Sequence, residues 1–415
     1  MKISDIKPSV FQMAKEAEAE IRPYFERIDR IAELNTVKVM EAFQDNKVSE
    51  ACFAGTTGYG YDDLGREVLD KVYAQVFKTE SALVRIGFVN GTHALSAALF
   101  SMLKPGDTLL SVTGLPYDTL RNTIGIEGEL HGSLKFYGIN YAQVNLKNGD
   151  PDFDAIRTAA ADKTVTAVLV QRSRGYDDRR ALSAEEIGEI CTAVKSVNPD
   201  INVMVDNCYG EFTGEHEPTE FGADLIAGSL IKNPGGGIAP TGGYIAGRAK
   251  LVDRAAMRLT TPGIGGECGS TLGNNRLLFQ GLFMAPHVVA QALKTAVFCS
   301  AMMKKAGFNT SPAPEDARND IIQMVTLGSA ENMKRFCRGI QSGAPVDSYV
   351  TPEPWQMPGY NVPVIMAAGA FVQGSSIELS ADGPMKEPYI AYMQGGITYE
   401  SGKLGIMMAV SEMLD

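Results

Sequence analysis

The 415-residue chain reads as an α/β protein with a mostly parallel seven-stranded sheet and a smaller α+β domain at its C-terminal end. Three observations predict this. Strand-like runs alternate with helical patterns from Arg66 onward. Residues able to do chemistry, Asp206 and Lys232 among them, fall at the ends of those runs, where open α/β sheets bind ligands. From Gly263 the pattern changes to one long helical stretch, then strands punctuated by Pro and Gly.

The elements follow in order. Phe11, Ala14, Ala17, Ile21, Tyr24, Phe25, Ile28 and Ile31 recur at three- and four-residue steps and predict an amphipathic helix. Pro23 is expected to kink or restart it, and residues 37–43 continue it. Residues 1–55 thus form a helical arm. Gly55 to Gly65 is a glycine-rich loop carrying Tyr59 and Tyr61. Helices are expected at 66–77, 92–102, 153–160 and 184–197. Strands are expected at 82–89, 108–112, 134–137, 165–171, 202–206, 224–229 and 244–246. These elements make a large domain over 56–262. A long helix (272–305), further strands and a closing helix near 401–413 make a small domain over 263–415.

Composition narrows the function. Hydrophobic residues at 45% and charged residues at 21% suit a soluble globular protein. A net charge of -11 argues against nucleic acid as a main partner and offers no general attraction for anions. Any phosphate site must therefore be local. The six cysteines form no C-x-x-C pair or Cys/His cluster, so no metal site is expected, and free thiols suit a reducing cytoplasm. The start lacks the apolar core of a signal peptide. The apolar stretch 284–308 is interrupted by His287, Gln291, Lys294, Lys304 and Lys305, which predicts a core helix and no membrane span.

Lys232 closes an apolar strand and opens into Asn233-Pro234-Gly235-Gly236-Gly237. A lysine in such a place has a chemical use, and Schiff-base formation is one. Asp206 ends the preceding strand and can keep a pyridine nitrogen protonated. Asn90-Gly91-Thr92-His93 follows a strand and opens a helix, whose free N–H groups and dipole favour a phosphate, and Ser229 can reach the same group. Tyr117, or His93 in its stead, can stack on a flat ring. Together these residues supply what pyridoxal phosphate (PLP) needs: an amine, an anion, a phosphate cradle and a ring contact. Arg172 and Arg174 stand at another strand end, where one of them can hold a substrate carboxylate or bond the cofactor's ring oxygen, unless they pair with Asp177 and Asp178. Competing signatures fail. Gly402-Lys403 is followed by Leu404, Gly263-Ile264-Gly265-Gly266 follows no strand, and neither H-E-x-x-H nor G-x-S-x-G occurs.

In combination these stretches resemble the fold-type I PLP enzymes, a PLP-dependent transferase-like fold. Within them the chain resembles the cystathionine/methionine lyase group, in its methionine gamma-lyase-like or "aluminium resistance" branch. The resemblance rests on Thr57 to Tyr61, Asn90 to Ala94, Gln171 to Tyr176, Val205 to Glu211, Ser229 to Gly236 and Gly374 to Pro384. It implies a homotetramer of tight dimers with shared active sites, in which Tyr59 and Tyr61 reach a neighbour's cofactor and Tyr59 serves catalysis. The group's Tyr-x-Arg pattern is broken here by Asp63, the next arginine being Arg66.

The expected activity is a carbon–sulfur lyase with Lys232 as general base, acting on a small amino acid. The same apparatus serves transamination, decarboxylation or racemisation, and a non-catalytic PLP-binding relative is the remaining alternative.

Overall fold

The computed structural model describes residues 2–128, 130–177, 179–357 and 362–414, so Asp178 lies outside the described residues. The chain opens with α1 (Pro8–Asp45), which runs through Pro23 without restarting. One lost N–H bond is a small defect in a 38-residue helix whose apolar stripe (Val10, Ala14, Ala17, Ile21, Ile28) is buried.

Next come α2 (Leu64–Val76), β1 (Ser81–Arg85), α3 (Gly91–Met102), β2 (Thr108–Ser111), α4 (Asp118–Ile124) and β3 (Asn140–Gln143). They are followed by α5 (Phe153–Ala160), β4 (Val165–Gln171), α6 (Ala184–Val197), β5 (Asn202–Asp206), β6 (Leu225–Ser229), β7 (Gly243–Gly247) and α7 (Ala249–Leu259). The seven strands form one sheet in the order β1-β7-β6-β5-β4-β2-β3. β7 runs antiparallel to both its neighbours and the other pairings are parallel. Central strands are buried on both faces. Val168, Val170, Val203, Val205 and Ile226 face one core, and Ala167, Leu169, Met204, Leu225 and Ala227 face the other.

Two expectations change. The strand placed at 134–137 is a 3-10 turn (Lys135–Tyr137) closed by Gly138 in the left-handed region (φ 77°). The true edge strand is β3, whose polar sequence Asn-Tyr-Ala-Gln hides it from a hydrophobic-pattern reading. The strand expected at 82–89 stops at Arg85.

The rest of the chain comprises α8 (Asn275–Lys305), β8 (Asn309–Ser311), β9 (Ile322–Thr326), α9 (Ala330–Ser342), β10 (Val364–Ala368), β11 (Ser380–Pro384), β12 (Ile390–Gln394) and α10 (Tyr399–Met413). Its strands form an antiparallel sheet ordered β10-β11-β12-β9-β8. α8 is long and apolar enough to cross a membrane, but 72% of its most apolar window is buried inside the protein, as in a core helix. Its Gly281 meets the loop after Lys232: a Cβ there would lie 2.5 Å from the Gly235 carbonyl oxygen.

Candidate active site at the ends of β5 and β6

β5 and β6 are neighbours, with Asp206 in register with Ala227, so Asp206 and the residues after Ser229 emerge on one edge of the sheet. Asp206 is buried at 6% exposure. Its Oδ1 accepts from the Cys208 N–H at 3.2 Å. Burial pushes its carboxyl up, against the pull of Lys232 and the Cys208 N–H.

Lys232 is half-buried, with Nζ 4.0 Å from the centroid of the Tyr209 ring. Burial works against its charge, but Cys208, Tyr209, Asp206 and Glu211 outweigh burial and raise its pKa. The amine is therefore a cation held by an acidic surround. Tyr209 has φ 71°, the left-handed region that non-glycine residues rarely adopt, so the loop beneath the amine is held there by its neighbours.

α3 begins against this edge. Asn90 Oδ1 caps it by accepting from the His93 N–H at 2.8 Å. A Cβ on Gly91 would lie 3.1 Å from Ser229 Cβ and 3.7 Å from Cys208 Sγ, so the helix starts in tight contact with the end of β6. The Thr92 hydroxyl is bonded to that of Thr119 at 2.8 Å. The His93 ring packs edge-on to Phe88 (5.5 Å), and its Nδ1 accepts from the Val89 N–H at 3.4 Å. Tyr117 has its N–H bonded to Gln171 Oε1 at 2.9 Å and its ring 6.1 Å from that of Tyr176.

The two arginines are bonded to other groups of the chain, although Arg174 also lines the pocket beside Tyr117. Arg172 is 1% exposed, and its Nη1 donates to Glu217 Oε2 at 3.0 Å and to Asn207 Oδ1 at 2.7 Å. That pairing makes Arg172 a prop under the 207–210 loop and takes its guanidinium out of reach of a substrate carboxylate. Arg174, 2% exposed, donates through Nη1 to the Ser311 carbonyl at 3.2 Å and so points at β8. Tyr59 and Tyr61 stack on each other (5.7 Å) on an exposed loop and are not brought to Lys232 within one chain. Arg66 is buried and spent on the carbonyls of Gly60, Gly269 and Glu267.

Sequence reasoning passed over four residues. Cys208 stands between Asp206 and Gly91. Glu211, fully buried, accepts from the Tyr244 hydroxyl at 2.8 Å, while its Oε2 has no partner. Burial first of all pushes this carboxyl up to about 8. Arg179 donates to the carbonyls of Ser173, Thr113 and Arg174 and so cross-ties the loop beside Tyr117. Cys208 and Glu211 lie in the Val205 to Glu211 run, whose motif character was the available signal; Tyr244 and Arg179 gave none.

The residues present fit PLP. A half-buried amine, a buried carboxylate one strand away and a helix N-terminus packed tightly against Ser229 converge on one edge. Among the described residues, no three His, Cys, Asp or Glu side chains group as metal ligands would.

Two outcomes follow. Glu217→Ala strands the Arg172 charge in the interior and should destabilise the protein by about 3–5 kcal/mol in urea unfolding, with Arg172→Met in the same chain restoring part of the loss. Glu211, raised from 4.5 to about 8, favours folding fully below pH 4.5, and that favour is lost as pH rises through about 8. Unfolding free energies at pH 5 and pH 9 should therefore differ less in Glu211→Gln than in wild type, by on the order of a few kcal/mol.

The methionine gamma-lyase family model matches residues 10–414. An uncharacterised Bacillus subtilis protein, YnbB, is 49% identical over 403 residues, covering 97% of this chain and 96% of its own. The carbon–sulfur lyase involved in aluminium resistance from Clostridium novyi superposes with TM-score 0.95 at 53% identity, covering 99% of this chain and 97% of that one. The PLP-dependent protein YhfS of Escherichia coli shares the fold at TM-score 0.62 and 17% identity, covering 92% of this chain and 95% of that one. With a match that spans nearly every residue from the arm to the closing helix, this chain belongs to the methionine gamma-lyase family.

Proposed function

We propose that the protein is a PLP-dependent carbon–sulfur lyase. It eliminates the thiol from the β- or γ-position of a sulfur amino acid, such as cystathionine or methionine, and hydrolysis by one water then yields ammonia and a 2-oxo acid beside the thiol. The observation that carries this reading is the convergence of Lys232, Asp206 and the Gly91 turn on one sheet edge. Family membership supports it, and so does the name of the Clostridium novyi relative.

Bound there, PLP supplies an electron sink for the carbanion formed next to the amino group. Lys232 would hold its aldehyde, and its amine would take the proton from the substrate α-carbon. Asp206 would keep a proton on the ring nitrogen. The N–H groups of Gly91 and Thr92, with Ser229, would hold the phosphate. Tyr117 would cover the ring. The raised Lys232 pKa sets a condition on this scheme. The amine acts as a base only where positive charge nearby offsets Asp206 and the other acidic groups.

The reading includes a cytoplasmic homotetramer in which Tyr59 and Tyr61 enter a neighbour's site. Their exposures of 75% and 55%, on a loop whose Gly60 carbonyl accepts from buried Arg66, support a role across a subunit boundary.

Lys232→Ala should abolish both the visible absorbance of the bound cofactor and turnover, the latter by at least about a hundredfold. Assays for thiol, ammonia and 2-oxo acid across a panel of sulfur amino acids check this. Carbon dioxide release, or a requirement for an added keto acid, would contradict a lyase. Light scattering should give a tetramer. Mixing Tyr59→Phe subunits with Lys232→Ala subunits should restore activity above that of either variant alone, because each mixed dimer would carry one intact site.

A further inference from the structure

A cavity of about 990 Å³ lies between α1, the loop after β8, and the loops around residues 180–186 and 213–216. Its lining omits Lys232, Asp206 and Tyr117, so it lies apart from the candidate active site. At its rim the charges pair. Arg180 meets Asp150 at 2.8 Å and Glu186 at 2.6 Å, and Arg30 stands 4.0 Å from Glu215.

Deeper in, the charges do not balance. Arg318 is 9% exposed and makes one side-chain bond, from Nη2 to Gln323 Oε1 at 2.6 Å. Its Nε and Nη1 are buried with no hydrogen-bond partner. Beside it, Arg174 also leaves Nε without a hydrogen bond, 3.9 Å from Asp320 Oδ2. Asp320 itself is occupied by the backbone N–H groups of Arg174 and Ile322. Two buried guanidinium groups thus face Asp320, and Asp316 is the further carboxylate that favours the Arg318 charge. Burial and the neighbouring Arg174 both disfavour the Arg318 charge. Buried donors without acceptors are costly, and a guanidinium fork matches an oxyanion.

We propose that this cavity binds a small oxyanion, carboxylate or phosphate, through Arg318 with Arg174 beside it. The site bears on the active site through the chain itself. Arg174 follows Gln171, whose side chain accepts from the Tyr117 N–H, and Arg179 ties Ser173 and Arg174 to Thr113. An anion that draws on Arg174 therefore acts on the loop beside the ring-covering tyrosine. This does not depend on which reaction the active site performs.

The test uses the full-length protein with its cofactor bound, so that the cofactor's phosphate site is filled. Inorganic phosphate and acetate are titrated separately by calorimetry at constant ionic strength. Saturable binding of either probe is expected, weakened about tenfold or more by Arg318→Gln and less by Arg318→Lys, which keeps the charge. Tighter acetate binding identifies a carboxylate ligand, and tighter phosphate binding a phosphorylated one. Absence of saturable binding for both probes overturns the proposal, and so does equal binding by wild type and Arg318→Gln. Should Arg318→Gln fail to fold, selenate-soaked crystals decide: an anomalous peak within hydrogen-bond reach of Arg318 supports the site, and none there overturns it.

Discussion

The active edge depends on one ion pair hidden beneath it. Arg172 and Glu217 are each about 1% exposed and 3.0 Å apart, and each carries more than its partner. Glu217 also accepts from the Phe212 N–H at 2.9 Å, and Arg172 holds Asn207. The loop from Asp206 to Phe212 is thus fastened at its start and at its finish. Within that span lie the carboxylate, Cys208, and the Tyr209 ring under the lysine. Desolvating two charges is expensive, and the cost is tolerable only because every contact is short and the pair satisfies several groups at once. Arg172 lies so close under Gly210 that any side chain there would meet its guanidinium.

The second organising feature is the sign of the charge around Lys232. Asp206 and Glu211 are both buried near it, and the arginines nearby are committed elsewhere. Arg66, the arginine that follows the broken Tyr-x-Arg pattern, is absorbed by the carbonyls of Gly60, Gly269 and Glu267. Within one chain, attraction for a phosphate falls to the α3 N-terminus and neutral donors. This matches the acidic composition, which left room only for a local anion site.

Much of this was legible in the sequence, for physical reasons. Parallel strands buried on both faces show as apolar runs, and the residue that ends such a run stands out, as Asp206 and Lys232 do. β3 did not show, because an edge strand need not be apolar. The partners of Arg172 and Arg174 were illegible. Glu217 lies 45 residues from Arg172, and Ser311 lies 137 residues from Arg174. Nothing local distinguishes an arginine that binds a ligand from one that meets a distant carboxylate or carbonyl. Glu211 was quoted within a motif, yet its link to Tyr244 required the β6–β7 pairing to bring them together.

The contact between Gly281 and Gly235 has a mechanical meaning. Where side chains intervene, a shift of one element is absorbed by rotamers. Here backbone meets backbone, with no room for a methyl group. The helix joining the two sheets therefore bears on the lysine's loop without a compliant layer between them. A displacement of the second sheet carried by α8 would reach that loop undamped, so Lys232 and the small sheet share one stiff frame.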